Sequence, residues 1–203
     1  MTGIEMNKQS YNKIARKWAD VRNTSFVSKL VVAFAEKITS GGSILDVGCG
    51  TGQPLASYLC NKGFEVTGVD ASERMIEMAQ SANLPNAEFI TSDFFDYQPT
   101  KQFDGVLAWD SFFHFPREKQ PLIYPMVSDL LKPGGYLLFT CGDADGEHVD
   151  HMMGEPFYYS ALPKDTIRQL LAGNGFTLEY AHENFVEKRT QRDLVILAKK
   201  LRR

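Results

Sequence analysis

Cysteine is scarce in this sequence, and long apolar runs are missing from it. The three cysteines, Cys49, Cys60 and Cys141, are odd in number and form no C-x-x-C pair, which predicts neither a disulfide framework nor a zinc site. This cysteine usage is typical of a reducing compartment, so we expect a cytoplasmic protein. Residues 1–10 lack the apolar core of a signal peptide, and no later run approaches the roughly 20 apolar residues of a membrane span.

Basic charge is not in excess either. The chain carries 22 Lys and Arg against 25 Asp and Glu, a formal net charge of -3, and this balance gives no positive field to hold DNA or RNA. We interpret the basic residues 199–203 as a solvated tail. A length of 203 residues, of which 43% are hydrophobic, fits a single globular domain over residues 1–203.

One glycine-rich turn organises the rest of the chain. Residues 44–53 read ILDVGCGTGQ, an apolar strand that ends in an acid and opens into a turn before a helix. Gly48, Gly50 and Gly52 can adopt positive φ and let a ligand approach the backbone at a helix N-terminus. The dinucleotide fingerprint G-x-G-x-x-G would require glycine where Gln53 stands, so the spacing disfavours a nicotinamide cofactor.

Strands and helices alternate after this turn, which predicts an α/β fold with a mostly parallel sheet and helices on both faces. The last two strands have only a short connection and must pair antiparallel. Ligands are expected at the carboxyl ends of the parallel strands. Beyond the first strand, the predicted strands are residues 64–70, 86–93, 103–110, 136–140, 176–182 and 194–198.

Helical spacing of apolar residues predicts two helices within residues 7–38, and residues 23–25 are expected to cap the second one. Two interior prolines, Pro121 and Pro125, predict a late start or a kink in the helix over residues 117–131. Three further helices are predicted: one after Pro54, one after the capping residue Ser72, and one over residues 163–172.

The run D-x-G-x-G-x-G at residues 46–52 resembles motif I of the class I S-adenosylmethionine (SAM) methyltransferases, and the resemblance extends over residues 41–198. It implies a Rossmann-like three-layer sandwich with a seven-stranded sheet. It also implies SAM as cofactor, S-adenosylhomocysteine as product, and no metal. The residues expected to bind the cofactor are Tyr11, Trp18, Asp46, Gly48, Cys49, Gly50, Gly52, Asp70, Ala71, Met75, Ser92, Asp93, Phe94 and Trp109.

The resemblance assigns a role to three of the acids. Asp46 is expected beside the methionine amino group. Asp70 is expected to accept hydrogen bonds from both ribose hydroxyls, and Asp93 is expected to accept one from the adenine amino group. For Asp70 and Asp93 the alternative is a helix cap.

The N-terminal segment, residues 1–40, is predicted to be a helical lid over the cofactor, with Tyr11 and Arg16 as polar partners for its carboxylate. The alternative is a helix that packs permanently on the fold. In the region after strand four, His114 is the candidate general base, and the alternative is a structural histidine packed under the loop.

The stretch from 143 to 162 is too long for an ordinary connection, and we predict a substrate-loop insertion there. The alternative is a lid that packs on its own sheet edge. The residues expected to form the substrate pocket are Phe113, Met153, Phe157, Tyr158 and Tyr159.

The sequence therefore predicts a methyltransferase that transfers the methyl group of SAM to an oxygen or nitrogen atom of a small molecule, as a monomer or homodimer. We expect neither nucleic acid nor membrane as a partner. One alternative is a non-catalytic or regulatory SAM-binding protein of the same fold. A less favoured alternative is an NAD-dependent oxidoreductase.

Overall fold

Strands and helices alternate along the chain as the sequence predicts. The computed structural model describes residues 2–202, and the elements over these residues are six α-helices and nine strands. In chain order they are α1 (Gly3–Asn23), α2 (Lys29–Lys37), β1 (Ser43–Val47), α3 (Leu55–Asn61), β2 (Glu65–Asp70), α4 (Glu73–Ser81), β3 (Ala87–Thr91), β4 (Phe103–Ala108), α5 (Gln120–Leu130), β5 (Leu131–Cys141), β6 (Gly146–Met152), β7 (Glu155–Ala161), α6 (Lys164–Gly173), β8 (Phe176–Glu187) and β9 (Thr190–Lys200).

Seven of the strands form one sheet with the order β3-β2-β1-β4-β5-β9-β8. The first five pair in parallel, and β9 runs antiparallel to both of its neighbours. The predicted seven-stranded sheet with its antiparallel C-terminal hairpin is confirmed. The strand order reverses between β1 and β4, and this reversal determines where the sheet can open for a ligand.

Alternating side chains of the central strands build a core on each face of the sheet. Leu45 and Val106 belong to the cluster that includes α5 and α6, whereas Ile44 and Leu107 belong to the cluster that includes α2, α3 and α4. All five residues of β1 are buried, as expected for a parallel strand that helices cover on both faces. The result is the three-layer sandwich that the resemblance implies.

Several element boundaries differ from the sequence expectation. Residues 23–25 do not cap α2: the hydroxyls of Thr24 and Ser25 donate to the Val21 carbonyl at the end of α1, and Ser28 Oγ accepts the Leu30 amide in the first turn of α2. Helix α5 has the expected late start, with Pro121 in its first turn, where a missing N–H is tolerated. Strand β5 begins at Leu131 instead of Tyr136, because its first residues pair with β4 through a bulge.

The stretch predicted to be a substrate-loop insertion, residues 143–162, contains the β6–β7 hairpin, and its role towards a substrate stays a prediction. The two strands pair from Gly146 opposite Ala161 to Met152 opposite Glu155. The turn at Met153 and Gly154 has φ values of 56° and 91°, and positive φ at both central residues matches the twist of a hairpin.

Buried polar side chains attach this hairpin to the rest of the molecule. Gln120 is 3% exposed, and its Nε2 donates to the Ser160 carbonyl at 2.9 Å and to Ser160 Oγ at 2.7 Å. Ser160 Oγ donates in turn to the carbonyl of Phe115 at 2.6 Å. The hairpin is thereby held beside the carboxyl end of β4.

Within residues 2–202, no helix is both long and apolar enough to cross a membrane.

On the opposite face, the end of α2 lies close to the sheet at Gly105 of β4. A Cβ atom on Gly105 would stand 2.4 Å from Ile38 Cδ1 and 2.7 Å from Phe34 Cζ. Phe34 is fully buried and Ile38 is nearly so, so neither side chain has open space to move into.

We therefore expect Gly105→Ala to lower the free energy of unfolding by about 1–3 kcal/mol, because the added methyl group overpacks the core. Urea denaturation measures this loss. Gly173→Ala is the matched control: nothing lies within 4 Å of an added Cβ there, and alanine near a helix end should cost nothing or stabilise by up to about 1 kcal/mol. Equal stabilities of the two variants would contradict the packing argument.

Candidate active site

A crevice opens at the carboxyl ends of β1, β2, β3 and β4, where the strand order reverses. We call it the cofactor cleft. Such a position is the usual ligand site of an open α/β sheet. Thirteen of the residues expected to bind the cofactor line this cleft: Tyr11, Trp18, Asp46, Gly48, Cys49, Gly50, Asp70, Ala71, Met75, Ser92, Asp93, Phe94 and Trp109.

Gly52 is the expected residue that does not line the cleft. Its φ is 73°, and a Cβ atom there would stand 3.0 Å from Phe89 Cζ, so Gly52 lets the turn pack against β3. Gly48 has a different role. Its φ is 74° and a Cβ atom would stand 2.5 Å from Ser111 Cβ, which brings the chain after β4 against the turn after β1.

Asp70 ties the glycine turn to the end of β2. Its Oδ2 accepts from the Gly50 amide and its Oδ1 from the Ser72 amide, both at 2.9 Å. Each carboxylate oxygen has a second lone pair, so the same side chain can still accept hydrogen bonds from two vicinal hydroxyls. Burial raises the pKa of Asp70, and the two amide hydrogen bonds oppose that effect.

Asp46 is the buried carboxyl group of the cleft, with 2% of its surface exposed. Burial raises its pKa to about 7; the charge of Arg22 acts in the opposite direction and that of Asp70 raises the pKa further. Thr51 lines the same cleft, and its buried Oγ1 finds no hydrogen-bond partner among residues 2–202. A ligand with a cationic group could pair with Asp46, and a polar atom of the same ligand could form a hydrogen bond with Thr51 Oγ1. The cleft therefore fits the amino-acid part of SAM.

Asp93 caps the short 3-10 turn Phe94–Asp96, where its Oδ1 accepts from the Phe95 amide at 3.0 Å. The capping alternative is therefore present in the structure. One carboxylate oxygen takes no part in this cap, and the side chain also lines the cleft. A contact with the adenine amino group stays a prediction.

Helix α1 covers the cleft along one face. Tyr11, Trp18 and Arg22 line it at helical spacing, so one face of the helix borders the cavity. Arg16 is exposed and does not line the cleft. Arg22, which the sequence reasoning missed, lines the cleft instead, because positions 11, 18 and 22 share a helix face and position 16 lies on another.

Side-chain hydrogen bonds hold α1 on both sides of the cleft. On one side, Asn12 Oδ1 accepts from Ser72 Oγ at 2.6 Å and from the Arg74 amide at 3.1 Å. On the other, Asn7 Nδ2 donates to the Tyr158 carbonyl at 2.9 Å and Asn7 Oδ1 accepts from the Tyr158 amide at 2.8 Å. The helix therefore bridges α4 and the hairpin.

His114 lies under this bridge. Its Nδ1 is 2.9 Å from the Tyr158 carbonyl oxygen and its Nε2 is 2.9 Å from Tyr11 Oη. A carbonyl oxygen only accepts, so Nδ1 carries the proton and Nε2 of the neutral ring accepts from the Tyr11 hydroxyl. Burial lowers the pKa of His114 to about 4, so the ring is neutral at pH 7 and is a weak base.

A second cavity of about 700 Å³ adjoins the cofactor cleft, a size typical of small-molecule sites. We call it the acceptor cavity. Strands β5, β6, β7 and β9 contribute most of its lining. Four residues line both cavities: Tyr11, Trp18, Asp110 and His114. Asp110, which sequence reasoning missed, has a φ of 60°, a conformation that is uncommon outside glycine and often marks a functional site.

The residues expected in the substrate pocket do not all come together. Phe113 and Tyr159 line the acceptor cavity. Phe157 is fully buried against Tyr11, with ring centroids 4.7 Å apart. Tyr158 serves as an anchor for α1, and Met153 lies exposed at the tip of the hairpin. Alternation along β7 explains the separation of Tyr158 from its neighbours.

Comparison with known proteins identifies the family. The family model described as a methyltransferase domain matches residues 16–181. A putative methyltransferase of Geobacillus sp. is 36% identical over 143 residues, which are 67% of this chain and 55% of that protein. A ubiquinone biosynthesis O-methyltransferase of Chromobacterium violaceum is 25% identical over 175 residues, 80% of this chain and 74% of that protein. The chain thus spans little more than half of the first of these relatives.

Solved structures agree on the fold. Magnesium protoporphyrin IX methyltransferase from Synechocystis, solved with bound SAM, is 20% identical with a TM-score of 0.75 over 98% of both chains. A SAM-dependent methyltransferase from Methanosarcina mazei is 24% identical with a TM-score of 0.71, over 88% of this chain and all of that one.

This chain belongs to the class I SAM-dependent methyltransferases. The family and the cofactor SAM, both predicted from the motif at residues 46–52, are confirmed. The oxidoreductase alternative is set aside, since the matching family transfers methyl groups. Among residues 2–202, no group of three or more His, Cys, Asp or Glu side chains is placed to hold a metal ion.

Whether α1 opens as a lid is tested by hydrogen exchange. If the helix closes on the cofactor, amides of residues 8–22 should exchange more slowly with S-adenosylhomocysteine bound, because Tyr11, Trp18 and Arg22 line the cleft. Residues 164–173 of α6 lie outside both cavities and serve as the internal control. Equal exchange of residues 8–22 with and without ligand would mean that α1 is permanently packed.

Proposed function

We propose that this protein transfers the methyl group of SAM to an oxygen or nitrogen atom of a small molecule bound in the acceptor cavity. The observation that carries the proposal is the shared boundary of the two cavities. Tyr11, Trp18, Asp110 and His114 line both, so a cofactor and an acceptor would meet at these four side chains. Proximity and orientation are the main contributions that a protein makes to a methyl transfer.

The chain's own residues divide the work of holding the cofactor. Asp70 would bind the ribose hydroxyls, Asp46 the amino group, and Arg22 the carboxylate, because these charged groups are buried or partly buried in one cleft. SAM supplies an activated methyl group on a positively charged sulfur. Trp109, 5% exposed at the end of β4, lines the cleft and would offer that charge an aromatic ring, one side of which already meets the Arg192 guanidinium, and α1 would exclude water.

Cofactor binding is tested by titration calorimetry. S-adenosylhomocysteine should bind and NAD should not. Asp70→Ala should weaken S-adenosylhomocysteine binding by about 1.5–3 kcal/mol, the range for hydrogen bonds to a charged group. The control is Glu65→Ala, at the opposite end of β2, where the carboxylate is exposed and pairs with Lys101. An unchanged affinity in a folded Asp70→Ala protein would remove Asp70 from the site.

Turnover is tested by release of S-adenosylhomocysteine across a library of phenols, amines, carboxylic acids and heteroaromatic compounds. Methyl transfer to at least one of them, with the methylated product identified by mass, supports the proposal. Binding of SAM without turnover of any compound would instead favour a non-catalytic, regulatory SAM-binding protein.

The role of His114 is tested with an acceptor that must lose a proton. If His114 is the base, His114→Ala should lower kcat by about 10²-fold or more with S-adenosylhomocysteine affinity intact. The pKa of about 4 predicts that kcat at saturating SAM stays constant between pH 5 and 7, without an inflection near 6.5 from this histidine. Tyr11→Phe removes only the hydroxyl that donates to Nε2. An activity of His114→Ala equal to that of the parent would assign the ring to holding α1.

A further inference from the structure

Asp110 lies where the cofactor cleft and the acceptor cavity meet. It lines both cavities, whereas Trp109, the residue before it, lines the cofactor cleft. The φ of Asp110 is 60°, a left-handed conformation that a residue other than glycine keeps only when its surroundings hold it there. The contacts that hold Asp110 therefore indicate what this residue does.

The first of these contacts is an ion pair with Arg192 on β9. The Nε and Nη2 atoms of Arg192 donate to the two carboxylate oxygens of Asp110 at 2.7 and 2.8 Å, a bidentate arrangement. The same guanidinium lies 4.6 Å from the centre of the Trp109 ring, within the range of a cation–π contact. The Arg192 side chain is 12% exposed and that of Asp110 is 28% exposed, so salt screens this pair less than a surface pair.

The second contact is with Thr140 on β5. The Asp110 amide donates to Thr140 Oγ1 at 2.8 Å, and Thr140 Oγ1 donates to Asp110 Oδ1 at 3.3 Å. Thr140 is 1% exposed, so its hydroxyl has a fixed position. The backbone and the carboxylate of Asp110 are thus both held from the neighbouring strands, and the carboxylate stays paired with Arg192.

Both charges of the pair act on the cofactor cleft. Arg22 lines this cleft and responds to each of them: burial lowers the pKa of its guanidinium, the charge of Asp110 raises it, and the charge of Arg192 lowers it again. A cation bound in the cleft would likewise be attracted by Asp110 and repelled by Arg192. The pair therefore offers such a cation little net attraction.

This balance bears on the difference between SAM and its product. The sulfur of SAM carries a positive charge, and the sulfur of S-adenosylhomocysteine is neutral. An unpaired carboxylate at the junction would hold the charged form more tightly than the transition state, in which positive charge leaves the sulfur. Such a preference would slow the chemical step.

We propose that Arg192 is a positioning residue that neutralises Asp110 at the junction of the two cavities, and that this pair sets the relative affinity of the cofactor cleft for SAM and S-adenosylhomocysteine. The inference rests on the proposed function, because it places SAM in that cleft, and it holds for any acceptor. Arg192 thereby determines how strongly the spent cofactor competes with SAM.

The ratio of two dissociation constants tests the inference: that of S-adenosylhomocysteine divided by that of SAM. Both are measured by calorimetry without an acceptor, at low ionic strength and about pH 8.5, where Asp46 with its pKa of about 7 is ionised. General damage to the cleft weakens the binding of both ligands alike. The ratio therefore isolates the effect of charge at the sulfur.

Arg192→Gln leaves the Asp110 carboxylate unpaired and should raise the ratio about threefold or more, in favour of SAM. Asp110→Asn leaves the guanidinium unpaired and should lower the ratio about threefold or more. The double variant Asp110→Asn, Arg192→Gln removes both charges and should return the ratio to within about twofold of the parent, since the two effects cancel.

Two further variants separate charge from shape. Arg168→Gln is the matched control, because it removes an arginine that pairs with Asp165 on α6, outside both cavities; it should leave the ratio unchanged. Arg192→Lys keeps the positive charge but loses the bidentate geometry, and its ratio should stay within about twofold of the parent.

A shift of the ratio in the same direction by both single variants would overturn the inference, and so would an unchanged ratio in proteins that still bind both ligands. Each single variant is decisive by itself, so misfolding of one leaves the other as the test. Failure of the parent protein to bind S-adenosylhomocysteine would count against the proposed function instead, so the two failures are distinguishable.

Discussion

The carboxylate of Asp70 is the interaction on which the cofactor cleft depends. It accepts hydrogen bonds from the amides of Gly50 and Ser72, and so joins the turn after β1 to the turn after β2. Without it, two partly buried N–H groups would lose their partner and the glycine turn would lose its position. Asp46 stands beside it as a buried carboxyl group whose pKa is raised to about 7. A ligand with an ammonium group would therefore expel a proton from Asp46 on binding below that pH.

Local sequence rules were sufficient for this part of the molecule. The carboxyl ends of parallel strands lie at the same edge of the sheet. Because Asp46, Asp70 and Asp93 each stand at the end of such a strand, the sequence predicted that they lie near one another. The short connection before β9 likewise permitted only antiparallel pairing. The capping role of Ser72 followed from its position before a helix.

What the sequence could not predict depends on contacts between distant segments. The choice of Arg22 over Arg16 depends on how α1 rotates about its axis against the cleft, which Asn7 and Asn12 determine through residues far along the chain. The pairing of Asp110 with Arg192 joins β4 to β9. The hairpin over 146–161 had a local signal in the turn at Met153 and Gly154, yet its first strand, β6, is exposed and shows no alternation of apolar and polar residues.

The attachment of α1 has a consequence for the order of folding. Asn7, Ser10 and Lys13 bond to residues of β7 that are separated from them by 151, 146 and 142 positions. At typical rates of synthesis, the first helix would wait on the order of 10 s for its binding surface to leave the ribosome. Until then the side of α1 that faces the hairpin has no partner, although its contacts with Ser72 and Arg74 at α4 can already form. The helix that completes both cavities is therefore made well before the hairpin on which it docks.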